Sequence, residues 1–195
     1  SVLSEIGYDP EKYNIQCFIH EQSPDIADGI DNPLEERTER ETPPPIRLGA
    51  GDQGVMVGYA CDETRQMLPL PVVLARRLTN RLTAARKSGQ LPFLRPDGKA
   101  QVTVEYDGNG NPARLDTVVL SAQHDPDVPQ DELFWELTDK VLFPALKLLP
   151  PDEDTKILLN PAGRFVVGGP DGDTGLTGRK MAADFYGVSA PHGGG

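Results

Sequence analysis

Five residues constrain this chain more than any others: Asp107-Gly108-Asn109-Gly110-Asn111. Aspartate, asparagine and glycine accept the backbone angles that a tight chain reversal demands. Ahead of them, residues 101–106 (QVTVEY) alternate polar and apolar side chains, as a half-buried strand does. Behind them, residues 114–121 are expected to return as the second strand. The nucleus is therefore a hairpin with one buried face, and the rest of the chain must cover that face.

Two helices are placed to do so. Residues 71–88 read as a helix, with Pro71 in its first turn, Leu74, Leu78, Leu82 and Ala85 on one face, and Gly89 ending it. Its other face carries Arg76, Arg77, Arg81, Arg86 and Lys87, read first as a solvated face. Residues 129–147 read as a second helix with Leu133, Phe134, Leu137, Val141 and Leu142 inward and a kink or end at Pro144. Trp135 is expected at an interface or core edge. Short strands are expected at 15–20, 55–60, 156–159 and 165–167. The fold class is α+β, with helices layered on one face of a mixed sheet.

Between these segments, residues 21–48 are polar and include EERTERE at 35–41 and three prolines at 43–45. So little apolar surface predicts a mobile loop, either linker or lid. The net charge of −11 argues against a nucleic-acid partner but leaves room for a local basic pocket. No apolar run approaches the roughly 20 residues of a membrane span, and residues 1–10 lack the basic start and apolar core of a secretion signal. Cys17 and Cys61 form no CxxC pair, so a reduced, cytoplasmic protein is the simplest expectation. His20, His124 and His192 have no ligand-forming neighbours at zinc spacing and are read as structural or incidental.

Two glycine patterns fail on context. GAGDQG at 49–54 matches GxGxxG, but a proline-rich loop precedes it and a strand-like run follows, where a dinucleotide fold needs strand then helix. GDTGLTGRK at 172–180 has the wrong spacing for a phosphate-binding Walker loop. Both segments still allow backbone to approach a ligand closely, and the second adds adjacent cations.

The motifs gain meaning together. In order they are QSPDI at 22–26, GAGDQG at 49–54, LPFLRPDGKAQVT at 91–103, VLSAQH at 119–124 and NPAGRFVVGGPDGDTGLTGRK at 160–180. This series resembles the methionine adenosyltransferase (S-adenosylmethionine synthetase) family over nearly the whole chain. The resemblance implies repeated two-layer α/β domains, a reaction between ATP and L-methionine, Mg²⁺ and K⁺ as ions, and a homo-oligomer, a dimer or dimer of dimers, with active sites between subunits. It implies that Gln22 contacts methionine and opens the active-site loop. Asp97, Gly98 and Lys99 would lie at the nucleotide, with Lys99 near the phosphates, and Arg164 and Phe165 would contact adenosine. Asp173 would be shared between the ATP and methionine sites, and Arg179 and Lys180 would hold the triphosphate. Lys99, Arg179 and Lys180 are thus the expected catalytic cations, and Asp52 receives no firm role.

The chemistry suits these residue types. Thioether sulfur is a competent neutral nucleophile, so the enzyme must align the reactants and stabilise charge on the leaving oxygen. Arginine and lysine do the latter.

The resemblance also implies missing parts: the family's HPDK motif, its metal-binding acids, and the lysine-bearing stretch after HGGG. Residues 1–31 are expected to end a first domain, 32–48 to form the loop, 49–167 to form the central domain, and 168–195 to begin a third. The chain is accordingly expected to be a fragment, with an inactive fragment and a nucleotide-binding regulator as the competing readings. Thr174 stands where many relatives carry cysteine, a change the site should tolerate.

Overall fold

The hairpin forms where the turn places it. The structure is a computed structural model that describes residues 2–33, 51, 52, 54, 56–173, 175, 178 and 180–192. Strand β1 (Leu94–Tyr106) pairs antiparallel with β2 (Pro112–His124). At the turn, Asp107 N donates to Asn111 O at 2.9 Å, and the Asp107 carboxylate accepts from the amides of Asn109 and Asn111 at 2.9 and 2.8 Å. Those bonds, the Asn111 amide first, hold its carboxyl below the usual carboxylate range. Strand β3 (Lys156–Leu159) lies parallel to β2, so the mixed sheet has the order β1-β2-β3.

One face of the sheet is dry. Ala100, Val102 and Val104 of β1 pack on the same core as Leu115, Val118, Leu120 and Ala122 of β2. The spacing from Leu115 to Val118 breaks the period of two because the ladder shifts register between Thr103 and Val104. Lys99, Gln101, Thr103 and Glu105 line the other face and are exposed.

The dry face is covered by α3 (Leu70–Lys87), which buries Leu74, Leu78, Leu82 and Ala85 as its spacing predicts. At its start, Leu70 N donates to the Glu63 carboxylate at 2.8 Å, and the same oxygen accepts from the Tyr106 hydroxyl at 2.8 Å. Burial and that bond push the Tyr106 phenol well above its ordinary range. At its end, Gly89 takes φ +72° and Leu91 N returns to Ala85 O at 3.1 Å, a glycine-terminated cap.

The basic face of α3 is not simply solvated. Arg76 donates to the carbonyls of Asp184 and Phe185 at 2.6 and 3.0 Å, holding the end of α6 (Met181–Tyr186). Arg81 Nε donates to Lys140 O at 2.9 Å. That second bond has a cause in the next helix. Residues 129–147 divide into α4 (Gln130–Leu137), a π-helical turn (Thr138–Leu142) and α5 (Phe143–Ala145). Pro144 has no N–H to give the carbonyl four residues back, which is that of Lys140. The helix widens at this point, and the guanidinium supplies the lost donor.

Leu133, Leu137, Val141 and Leu142 face inward as expected. Phe134 does not: it is exposed and meets the 68% exposed Trp135 edge-on at 5.5 Å, so this pair decorates the surface instead of the core. Near the hairpin turn Arg114 of β2 grips the Asp152 carboxylate with two bonds of 2.9 and 3.0 Å, drawing that acid well below its usual range.

Three expected strands are absent. Residues 15–20 and the described part of 55–60 belong to no strand. Residues 165–167 touch β2 only through Phe165 and Val166, with too few bonds for a strand. Within the polar stretch, residues 24–31 form α2 (Pro24–Asp31), entered through Ser23 and Pro24, instead of loop. Residues 34–48 of the expected mobile loop lie outside the described residues.

The chain divides into two units, Ser1–Val57 and Gly58–Gly195. The second contains the sheet and its core. The first holds α1 (Val2–Ile6), a 3₁₀ turn (Pro10–Lys12) and α2, none of which buries a residue. Among the described residues no helix is long and apolar enough to cross a membrane.

Candidate functional site

At the end of the β1-β2 hairpin away from the turn, the ladder is interrupted. Leu94 pairs with His124 and Gly98 with Ala122, so three residues of β1, Arg95-Pro96-Asp97, bulge opposite one residue of β2. Pro96 has no amide to contribute to a ladder, which favours this departure. Asp97 N then turns to a side chain, the Gln123 carboxamide oxygen, at 3.1 Å.

A second loop is fastened to this bulge. Beyond β3, Asn160 takes φ +42° and its side chain pairs with both Ala122 N and Ala122 O, at 2.8 and 3.1 Å. Asn160 N also donates to Leu120 O at 2.9 Å, so one asparagine extends the parallel ladder by a step before the chain turns. The segment that follows returns to β2. His124 N donates to Phe165 O at 2.9 Å, Phe165 N donates to His124 Nε2 at 3.3 Å, and Gln123 Nε2 donates to Val166 O at 2.9 Å. Gly169 N then donates to the Asp97 carboxylate at 2.8 Å.

Gly168 sits where no side chain fits. A Cβ there would come within 2.7 Å of Phe165 Cε2 and 2.9 Å of Asp97 Oδ2. Gly98 is also confined, with Leu82 Cδ1 at 3.0 Å from a Cβ position. Two glycines thus let the two loops and α3 close on one another. Behind the bulge is a small cleft of about 60 Å³, lined by Thr79, Leu82, Arg86, Arg95, Asp97 and Gly98 among others. It has room for a few waters but not for a nucleotide.

The structure therefore brings Asp97, Gly98 and Phe165 together. Asp97 is not a free acid, since its carboxylate receives an amide. Lys99 and Arg164, the next residues along each segment, are exposed. Asp173 is held only by its backbone, donating to Gly169 O at 2.9 Å, and Lys180 immediately precedes α6. The side chains of Lys99, Arg164, Asp173 and Lys180 make no hydrogen bond or ion pair among the described residues, so they are available to a ligand. Arg179 lies outside the described residues. Gln22 belongs to the first unit and is exposed just before α2. Asp52 is in the first unit as well.

Gln123 and Asn160 escaped the sequence reading, although both lie within motifs noted there. A polar residue closing an apolar strand, and an asparagine preceding proline at a strand end, are the signals that mark them. His124, read as structural or incidental, is buried and fully engaged. No group of three histidine, cysteine, aspartate or glutamate side chains converges among the described residues. They do not by themselves fit a resident metal ion.

Comparison with known proteins bears on this arrangement. The family profile described as S-adenosylmethionine synthetase, central domain, matches residues 47–165, and the profile for the C-terminal domain of the same family matches 167–195. The chain is 52% identical over 192 residues to the S-adenosylmethionine synthase of Petrotoga mobilis, covering 98% of this chain and 48% of that protein. It is 50% identical over 202 residues to the S-adenosylmethionine synthase of Streptococcus agalactiae, covering 100% of this chain and 51% of the relative. The corresponding figures for the synthase of Lacticaseibacillus casei are 50% over 191 residues, 98% and 48%. The chain spans about half the length of these relatives. The two matched profiles, the identity along nearly all of its residues and the mixed sheet with helices on one face make this chain a member of the S-adenosylmethionine synthetase family.

Proposed function

We propose that this chain is part of an enzyme that forms S-adenosylmethionine from ATP and L-methionine. The carrying observation is the pinned pair of loops, which sets the backbone of Asp97-Gly98 against that of Phe165 and leaves Lys99 and Arg164 exposed beside them. In this reading Arg164 and Phe165 receive the adenosine, and Lys99, Arg179 and Lys180 receive the triphosphate. Asp173 serves both ligands and Gln22 contacts methionine.

The methionine sulfur attacks C5′ of ATP, forming an S–C bond. The C5′–O bond breaks, its electron pair leaves with tripolyphosphate, and sulfur becomes a sulfonium. Water then cleaves tripolyphosphate to pyrophosphate and phosphate. No proton need leave the nucleophile, so the residues' work is alignment and charge stabilisation. Exposed cations suit a polyanion that brings its own charge, and arginine adds two-point contact with phosphate oxygens.

Mg²⁺ and K⁺ belong to the proposal through the family alone, and no step above depends on them. The same holds for a homo-oligomer of two or four chains, for a cytoplasmic location, and for the division into an N-terminal end at 1–31, a loop at 32–48, a central domain at 49–167 and a C-terminal start at 168–195.

The test uses the longest natural chain that contains this sequence. Lys99→Ala and Arg179→Ala should each lower turnover by two or more orders of magnitude, the order of loss expected for one transition-state charge contact, while the far-ultraviolet spectrum is kept. Near-normal synthesis by both variants would sink the site assignment. An assay of the 195-residue chain alone decides whether this half suffices.

A further inference from the structure

Strand β2 ends in two polar residues that are buried: Gln123 is 7% exposed and His124 is 1% exposed. Buried polar side chains are costly unless their hydrogen-bonding groups are satisfied. Here both side chains are satisfied by backbone groups. Gln123 uses its oxygen for Asp97 N and its nitrogen for Val166 O, so one carboxamide spans the gap between the bulge and the 165–169 loop. A carboxylate would lack the donor and a thioether would lack both groups.

His124 fixes the adjoining residue from two sides. Its main-chain N–H meets Phe165 O, and its Nε2 accepts Phe165 N–H. The other ring nitrogen, Nδ1, lies 2.8 Å from Asp125 O. Nε2 faces a donor and Nδ1 faces an acceptor, so the partners assign a neutral ring with its proton on Nδ1.

We infer that Gln123 and His124 are positioning residues for nucleotide binding: without touching the ligand, they set the spacing between Asp97-Gly98 and Arg164-Phe165. This inference rests on the reading of those four residues as nucleotide contacts. The bonds that join the two loops are Asp97–Gln123, Gln123–Val166, His124–Phe165 and Asp97–Gly169. All but the last run through the dipeptide. The leucine core under the sheet is a separate set of contacts, so the loops can lose register while the domain stays folded.

The experiment uses the longest natural chain that contains this sequence, with Gln123→Met, His124→Asn and His124→Gln. A glutamine at 124 can place an oxygen near the position of Nε2 and keep the Phe165 acceptor, whereas asparagine imitates only Nδ1. Gln123→Met and His124→Asn should weaken ATP binding and raise the KM for ATP about tenfold, the effect of one or two lost hydrogen bonds. The KM for methionine should stay within about twofold. His124→Gln should recover most of the ATP affinity. Hydrogen exchange at the Phe165 amide, measured on the same samples, should quicken in His124→Asn and not in His124→Gln.

Quickened exchange with unchanged ATP affinity would overturn the positioning role. So would equal losses on ATP and methionine, or equal losses from asparagine and glutamine. Failure of the unmutated chain to bind ATP would instead overturn the nucleotide reading itself, and this inference with it. That outcome is visible in the control before any variant is measured.

Discussion

The two units of this chain use apolar residues in opposite ways. In Gly58–Gly195, leucines from α3, β2, α4 and the turns around them meet in one cluster, with Leu74, Leu78, Leu115, Leu120, Leu137, Leu142 and Leu146 fully buried. In Ser1–Val57, Pro33 is the only buried residue among those described. Ile15, Phe18 and Ile19 stand exposed, and so do Ile26 and Ile30, four residues apart on one face of α2. Hydrophobic residues alone therefore do not make a core. The second unit has a hairpin whose pleat collects alternate side chains on one face, and a helix long enough to cover them. The described residues of the first form helices of five and eight residues and no strand.

The sharpest way to break this comparison is to truncate one side chain in each unit. Leu78→Ala removes a fully buried side chain from the centre of α3 and should cost about 2–5 kcal/mol in denaturant unfolding. Phe18→Ala removes a larger side chain that is 87% exposed and should change stability by no more than about 0.5 kcal/mol. Comparable losses would mean that the first unit has a buried apolar partner in solution.

A smaller effect separates the core from the polar joints that carry the site. Asn160→Ala removes the two bonds to Ala122 and leaves a buried amide and carbonyl unsatisfied, about 1–3 kcal/mol. It also places alanine at φ +42°, which adds roughly 1 kcal/mol. Asn160→Gly keeps the conformation and loses only the bonds, so it should unfold about 1 kcal/mol later than the alanine variant. Equal stabilities would show that the backbone angle relaxes on substitution.

Asn160 also marks where sequence reasoning stopped. The hairpin, both helices and β3 were legible because each rests on local rules: a turn composition, a helical spacing, a run of branched residues. The residues of the proposed site were legible through their motifs, but their arrangement was not. Nothing in the spacing of Asp97, Gln123 and Phe165 says that an amide at 123 joins the other two, because that bond depends on a register shift in β1. The same dependence misled the reading of 165–167, where an apolar run looks like a strand but spends the Phe165 amide and the Val166 carbonyl on side chains. At 15–20 the pattern was strand-like, yet these residues form no strand. Pro144 shows the converse: a local rule gave the place of the break, and only the fold supplied the arginine that satisfies Lys140.

The finest test of the contrast between the units uses the two thiols, one in each. Cys17 is exposed within the unpaired run of the first unit. Cys61 is half-buried in the second, in a turn closed by Cys61 N to Met67 O at 3.1 Å and by Thr64 to Leu68 O at 2.8 Å. Burial first, and the neighbouring Glu63 carboxylate after it, raise the Cys61 thiol above its ordinary 9.0, despite an opposing backbone bond. The thiolate is the species that alkylates, so each unit of upward shift costs about tenfold in reactive fraction at a fixed pH below it. With iodoacetamide at pH 8, Cys17 should be modified first and Cys61 several-fold more slowly. The Cys61 rate should still be climbing above pH 9, because a raised thiol reaches its limiting rate only at higher pH. Peptide mapping of timed samples reads both sites in one experiment. Equal rates at pH 8 would mean that the turn at 61–68 opens as readily as the exposed run around Cys17. The Glu63 bridge between α3 and Tyr106 would then have to be weaker than its two bonds of 2.8 Å suggest.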